Sequence, residues 1–455
     1  MPAFAFLPAP KSKPAPNQKV QLAPLVAAIY FCVSGGPHGL EPLMQSGAGM
    51  GLLLILITPL IWAIPTAFMT AELASAIPAE GGYYVWIKRS LGDRWAACAA
   101  WWMWLYSWVD VAIYPVLFAS YVSALLSQLG LANGFADDPL RKWLVGLVII
   151  VPMTWLNVRG AKSVGKTSLV LGGVLLLPFA VMVALGLPKV LANPAAVTQP
   201  FVPTGTTTQS ALGAGLFVVM WNYLGWDSLS TVSAEVDRPW KNFPKAIFIA
   251  MPLIVLSYLL PTLVGLAVVP ELGRWEEGLW PEIGEAIGGT GLGIWIAITG
   301  MASAAGLFAA TMLGATRIPL VLARDHLLPE ILTRTHPRFG TPVNAILVSA
   351  CAYTLFSYSS FENLAVVDVV LYSSAILVEL AALIVLRRKE PELERPYRIP
   401  GGYPVLALFF LMPAAIIAIA VYSHIQEEGR HVIWWSIAAM ALAPIFTFSA
   451  MRKRA

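Results

Sequence analysis

Charge is scarce in this chain. Charged residues make up 12% of the 455 residues, about half the share usual for a soluble domain. Apolar residues make up 58% and the mean hydropathy is +0.72, more apolar surface than a soluble chain of this length could hide. Cysteine is scarcer still. Cys32, Cys98 and Cys351 stand apart, in or near apolar stretches, and offer neither a disulfide framework nor spaced metal ligands. Paired His ligands, a phosphate loop and a nucleophile motif are all missing, so the sequence reads as a non-enzyme without cofactor or metal. A basic arm or aromatic platform for nucleic acid is missing too. Apolar segments of about 10 residues with alternating polarity, the mark of a membrane β-barrel, do not occur.

What the sequence does have is apolar runs of about 20 residues, each long enough to cross a bilayer as a helix. An all-α integral membrane protein with twelve transmembrane helices is expected, the spans lying near 22–46, 49–76, 95–128, 140–157, 163–187, 210–236, 244–270, 289–322, 342–358, 362–386, 403–423 and 431–450. With an even number of spans both termini share a side. Lys88, Arg89, Arg94, Arg387, Arg388, Lys389 and Arg452 then crowd on the side of the termini, whereas the other side holds only Arg141, Lys142, Lys189, Arg274 and Arg430. Such asymmetry predicts cytoplasmic termini in a multi-pass protein of the cell membrane. The net charge of +4 is a consequence of this orientation.

Two spans are interrupted. Ser34-Gly35-Gly36-Pro37-His38-Gly39 falls in the first, and glycine with proline makes a helix there unfavourable by several kcal/mol. In the sixth, Trp221-Asn222-Tyr223-Leu224-Gly225-Trp226-Asp227-Ser228 places a glycine and a carboxylate between apolar stretches. Non-helical backbone at membrane depth must be answered by protein, a water-filled cavity or a ligand. Spans one and six are corresponding members of two sets of five, so a five-plus-five inverted repeat with broken helices one and six is expected, its site at the midplane. The divisions are a disordered cytoplasmic tail (1–20), a first five-helix repeat (21–187), an extracellular loop (188–209), a second repeat (210–387), a cytoplasmic loop (388–402), and two C-terminal helices with a short basic tail (403–455).

At these residues the chain resembles the amino acid-polyamine-organocation superfamily, over about residues 20–450. Matching stretches follow in order. Ala71-Glu72-Leu73 through Pro78, Gly81-Gly82 and Tyr84 resembles the acidic stretch after the second helix. Trp226-Asp227, Glu235, Pro239 and Pro244 resemble the end of the sixth helix, and Ala323-Arg324-Asp325-His326-Leu327-Leu328-Pro329 resembles the signature after the eighth, with His326 where glycine is common. The first break through Leu40-Glu41, and Trp226 to Thr231, look most like the polyamine-proton symporter branch.

Asp227 matches the position where diamine and arginine-agmatine exchangers of the superfamily carry a glutamate. A mid-membrane carboxylate is costly unless paired, protonated or facing water, and a cationic amine is its natural partner; a protonated carboxyl bonded within the bundle is the structural alternative. Glu41 and Asp110 are further acids inside spans. Trp221 stands on the superfamily's spacing for an aromatic gate and could stack on an amine, although interfacial anchoring explains most tryptophans. Lys166 resembles a lysine that some sodium-independent members place beside the first break, and would take part in proton coupling with Asp227 or else snorkel to the surface. His38 could sense protons or sit neutral and hydrogen-bonded. The expected substrate-binding set is therefore Ser34, Gly35, Gly36, Pro37, His38, Glu41, Gly39, Asp110, Trp221 and Asp227. The expected function is proton-coupled import of polyamines or cationic amino acids by alternating access. The alternative is a neutral or large amino acid transporter or exchanger of the same fold. The partners are then the amine or amino acid, protons and the lipid bilayer, with no nucleic acid.

Overall fold

The computed structural model describes residues 20–79, 82–131, 138–160, 175–192, 194–228, 230, 236–427 and 431–452. The helices are α1 (Leu22–Val33), α2 (Ala48–Ala76), α3 (Gly82–Leu91), α4 (Asp93–Gln128), α5 (Pro139–Arg159), α6 (Leu177–Ala192) and α7 (Thr208–Trp221), then α8 (Pro239–Val268), α9 (Trp280–Gly288), α10 (Thr290–Arg324), α11 (Val343–Phe356), α12 (Phe361–Lys389), α13 (Gly402–Glu427) and α14 (His431–Arg452). Among the described residues α2, α4, α5, α8, α10, α12 and α13 are long and apolar enough to cross a membrane, and shorter apolar helices stand at the remaining five expected spans. The short helices α3 and α9 belong to loops and were not expected from hydropathy. Span five runs on to Ala192 rather than ending at 187.

Local chemistry sets the helix starts. Asp138 caps α5 by accepting from the N–H groups of Leu140 at 2.9 Å and Arg141 at 3.3 Å, with Pro139 in the first turn, where its missing N–H costs nothing. Thr207 caps α7 and Ser360 caps α12 in the same way. Inside α2, Pro59 cannot donate the N–H that Ile55 O would normally receive. A π turn over Pro59–Ala63 carries the helix past this point, and the Tyr223 hydroxyl donates to Ile55 O at 3.0 Å from the second break. A defect in one helix is thus repaired by a side chain of another.

Both expected breaks are present. α1 stops at Val33, Gly36 and Gly39 take φ of +86° and +83°, and a 3₁₀ turn over Glu41–Ser46 completes the first span. α7 stops at Trp221, and Gly225 takes φ of +86°. A Cβ at Gly225 would lie 2.5 Å from Cys32 O, so only glycine lets the two broken spans come this close. The long α4 packs most extensively on α10 and α12, α1 lies on α8, and α7 lies against Glu41–Ser46, α12 and α13. Both breaks are thereby enclosed.

One end of the bundle, here the basic end, is stitched by ions. Glu72, fully buried near the end of α2, accepts from Arg387 Nε at 2.8 Å, from Arg387 Nη2, and from Ile399 N at 2.8 Å, with Arg395 Nε 3.4 Å away. That one carboxylate ties α2, α12 and the loop after α12. Arg89 on α3 makes a two-point pair with Glu390 at 2.8 and 2.6 Å, but nearer solvent. Removing one partner of a buried pair strands the other charge, at a cost of about 3–5 kcal/mol, whereas an exposed pair is worth about 0–1 kcal/mol. Glu72→Gln is therefore expected to lower the thermal unfolding midpoint of the purified protein markedly and Glu390→Gln hardly at all. Equal effects would contradict the assignment.

Candidate functional site

The first break holds itself in shape through its own backbone. Ser34 Oγ accepts from Gly36 N at 3.2 Å, and Gly35 O accepts from Ser303 Oγ at 2.9 Å. Pro37 O accepts from Trp280 Nε1 at 2.8 Å, and Gly39 O from Asn222 Nδ2 at 3.2 Å. Glu41 is fully buried and accepts three hydrogen bonds, from Gly39 N at 2.7 Å, Tyr121 OH at 2.6 Å and Gly278 N at 3.1 Å. This makes Glu41 an internal cap that fastens the break to α4 and to the loop before α9. His38 is buried edge-on against the rings of Tyr121 and Phe179, with neither ring nitrogen partnered among the described residues.

The second break faces it. Tyr258 OH donates to Asn222 O at 2.6 Å, while the Asn222 amide reaches across to Gly39. Gly225 N donates to Tyr372 OH at 3.1 Å, and Tyr372 OH donates in turn to Asp227 Oδ1. Asp227 is fully buried, and its other oxygen, Oδ2, has no hydrogen-bond partner among the described residues. α1 and α7 both end at these breaks, and helix C-termini carry the negative end of the dipole. Those two helix ends favour a cation.

Asp110 lies midway along α4 and accepts from Tyr114 OH at 3.2 Å, with Trp221 and Tyr106 also against its carboxylate. The Trp221 ring covers Gly39, where an added Cβ would come within 2.8 Å of it, and packs edge-on against Phe361 with centroids 5.2 Å apart. Of the expected set, the structure brings Ser34 to Gly39, Asp110, Trp221 and Asp227 to the two breaks, and gives Glu41 to the cap. Lys166 lies outside the described residues, as does Glu235 of the sixth-span motif.

Sequence reasoning did not find Tyr372, Tyr106, Tyr121 or Trp280, which supply the hydroxyl and indole donors and the ring walls. One signal was there for Tyr372: it stands four residues after Asp368, on the same face of a helix. Asp368 and Glu379, also on α12, are fully buried with no hydrogen-bond partner among the described residues for any carboxylate oxygen. Among the described residues the buried basic side chains are those of Arg387 and Arg395, and both pair with Glu72. The interior around the breaks, among the described residues, is thus acidic.

Beside Gly278 stands Glu277, with Oε1 buried and unpartnered among the described residues. Burial first, then the charges of Glu362 and Glu41, push its carboxyl up from the usual 4.5 to about 8, against a weaker pull from Lys142. The folded protein keeps a proton that the unfolded chain releases above pH 4.5. This stabilisation is complete below that value and is lost as pH rises to about 8. Glu277→Gln is expected to flatten the decline of the thermal midpoint between about pH 5 and about pH 8 relative to wild type. Parallel curves for the two proteins would contradict it.

A family model described as amino acid permease matches residues 25–446. A probable polyamine transporter of Arabidopsis thaliana is 37% identical over 415 residues, which span 90% of this chain and 83% of the relative. Polyamine transporter PUT1 of Oryza sativa subsp. japonica is 34% identical over 410 residues, 90% of this chain and 74% of the relative. Among solved structures, the crystal structure of MhsT in complex with L-phenylalanine matches with a TM-score of 0.62 at 16% identity, over 87% of this chain and 96% of that one, a likeness of fold alone. An all-helical bundle with interrupted first and sixth spans, a family match along nearly its whole length and relatives named as transporters lead to one conclusion: this chain belongs to the amino acid permease family and is a multi-pass membrane transporter.

Proposed function

We propose that the chain imports polyamines or cationic amino acids across the cell membrane as a proton-coupled secondary transporter working by alternating access. The observation that carries this reading is Asp227, fully buried between the two breaks with Oδ2 unpartnered among the described residues. A carboxylate at that depth requires a positive partner, an ammonium or a proton. A neutral amino acid would bring an α-carboxylate along with its ammonium into an interior already rich in buried acids, whereas an amine brings positive charge alone. Two relatives above 30% identity are named polyamine transporters, which favours the same substrate class.

In this reading the two repeats, 21–187 and 210–387, move against each other around a site formed by the unwound backbone of Ser34 to Gly39, with Trp221 closing over it and Asp110 beside it. The basic end is cytoplasmic, with both termini. The Glu72 and Arg387 pair closes the path on that side, and the loop carrying Gly278 and Trp280 closes it on the other. Substrate shifts the populations only through contacts that differ between the outward-open and inward-open states. Symport requires that amine and proton travel together. Several buried carboxylates allow one to hold the amine while another holds the proton, whereas a single shared acid would make them exclude each other. Asp227 and Lys166 are the proposed coupling pair, Asp227 holding the amine while Lys166 gains and loses the proton.

Uptake of radiolabelled putrescine into proteoliposomes, with and without an inward proton gradient, tests the proposal. A gradient-driven signal is expected, reduced to less than about a tenth by Asp227→Asn, since a charged hydrogen-bond partner is lost. Uptake indifferent to the gradient would remove the proton coupling. Uptake of leucine without putrescine would remove the amine reading.

A further inference from the structure

Asp368 stands on α12 one turn before Tyr372, the residue that holds Asp227. A separation of four residues rises about 6 Å along a helix and keeps both side chains on one face. Asp368 is fully buried, and neither of its carboxylate oxygens has a hydrogen-bond partner among the described residues. Its charged neighbour is another acid, Asp110 on α4. A fully buried carboxylate with no donor among the described residues, in the field of a second acid, is an arrangement that folding alone does not favour. A cation between them would remove the conflict.

Aromatic rings gather around Tyr372, which bonds Asp227 and stands one turn from Asp368. Tyr106 packs against Tyr372 with centroids 5.0 Å apart and lies in the field of both Asp110 and Asp368. Trp62 closes on Tyr372 from another side, with centroids 6.3 Å apart, and Trp221 lies at Asp110. Rings suit both parts of a linear amine, since their faces attract ammonium groups and their surfaces pack on methylene chains.

We propose that Asp368, together with Asp110, is a second ammonium subsite, so that the transporter holds one amine of a linear di- or polyamine at Asp227 and the next at Asp368. This rests on the amine reading of Asp227 and narrows it. A cationic amino acid carries an α-carboxylate on the end that would have to face Asp368 and Asp110, and like charges there are repelled. A monoamine satisfies Asp227 and leaves Asp368 as it is. The selected substrate class is therefore the α,ω-diamines and their longer homologues.

Isothermal titration of the purified protein with putrescine, n-butylamine and arginine tests the subsite, in wild type, Asp368→Asn and Asp227→Asn. Wild type is expected to bind putrescine at least about tenfold more tightly than n-butylamine or arginine. Asp368→Asn should abolish that preference with n-butylamine affinity unchanged, whereas Asp227→Asn should weaken both amines. Equal wild-type affinities for putrescine and n-butylamine would overturn the subsite, and this comparison stands even if Asp368→Asn fails to fold. A putrescine preference that survives in folded Asp368→Asn would also overturn it. Wild type binding neither amine would overturn the reading of Asp227 itself.

Discussion

A chain that unwinds in the middle of a bilayer frees N–H and C=O groups where no water can answer them, and the whole centre of this protein follows from how those groups are bound. The two breaks answer each other. Asn222 donates to Gly39 O and accepts at its own carbonyl from Tyr258, while Ser303 and Trp280 take the carbonyls of Gly35 and Pro37. Glu41 gathers three donors from its own break, α4 and the loop before α9. Among the described residues, the buried groups left without a partner include carboxylate oxygens of Asp227, Asp368 and Glu379 and the nitrogens of His38. The pairing that lets the backbone unwind thus leaves these acids as buried charges without donors among the described residues.

The two ends of the bundle are held by different chemistry. At the basic end the contact is a buried ion pair, Glu72 and Arg387 being bonded at two points. At the opposite end it is made of indole and backbone contacts, with Trp275 and Trp280 packed edge to face, Gln45 donating to Trp275 O, and Gly278 bound to Glu41. The break and the lid at that end share the Glu41 carboxylate, so a change at one is felt at the other. An acid in the same loop, Glu277, carries a carboxyl pushed up by burial.

Much of the fold was legible in the sequence because the bilayer imposes one rule on every span. Hydropathy fixes where helices cross, and Ser34 to Gly39 and Gly225 mark where they cannot continue. Asp227 was legible for the same reason, being a carboxylate where none is expected. The short helices α3 and α9 were not, because neither is long or apolar enough to stand out. Nor were Tyr372 and Tyr121 as partners of Asp227 and Glu41, since those pairs join residues 145 and 80 positions apart, and a tyrosine in an apolar helix looks the same whether or not its hydroxyl meets an acid. The role of Glu41 as a cap had the same cause: its donors come from elements that only the packed bundle brings near.

The central claim, that the unpartnered oxygen of Asp227 is an amine site, is tested most directly by a cryo-electron microscopy structure of the purified transporter with spermidine. The account predicts an elongated density between the two breaks, with one nitrogen within hydrogen-bond distance of Asp227 Oδ2 and the chain running along Tyr372 and Tyr106 toward Asp368. Spermidine density away from Asp227, or an Asp227 carboxylate turned onto a protein donor in the liganded state, would contradict it.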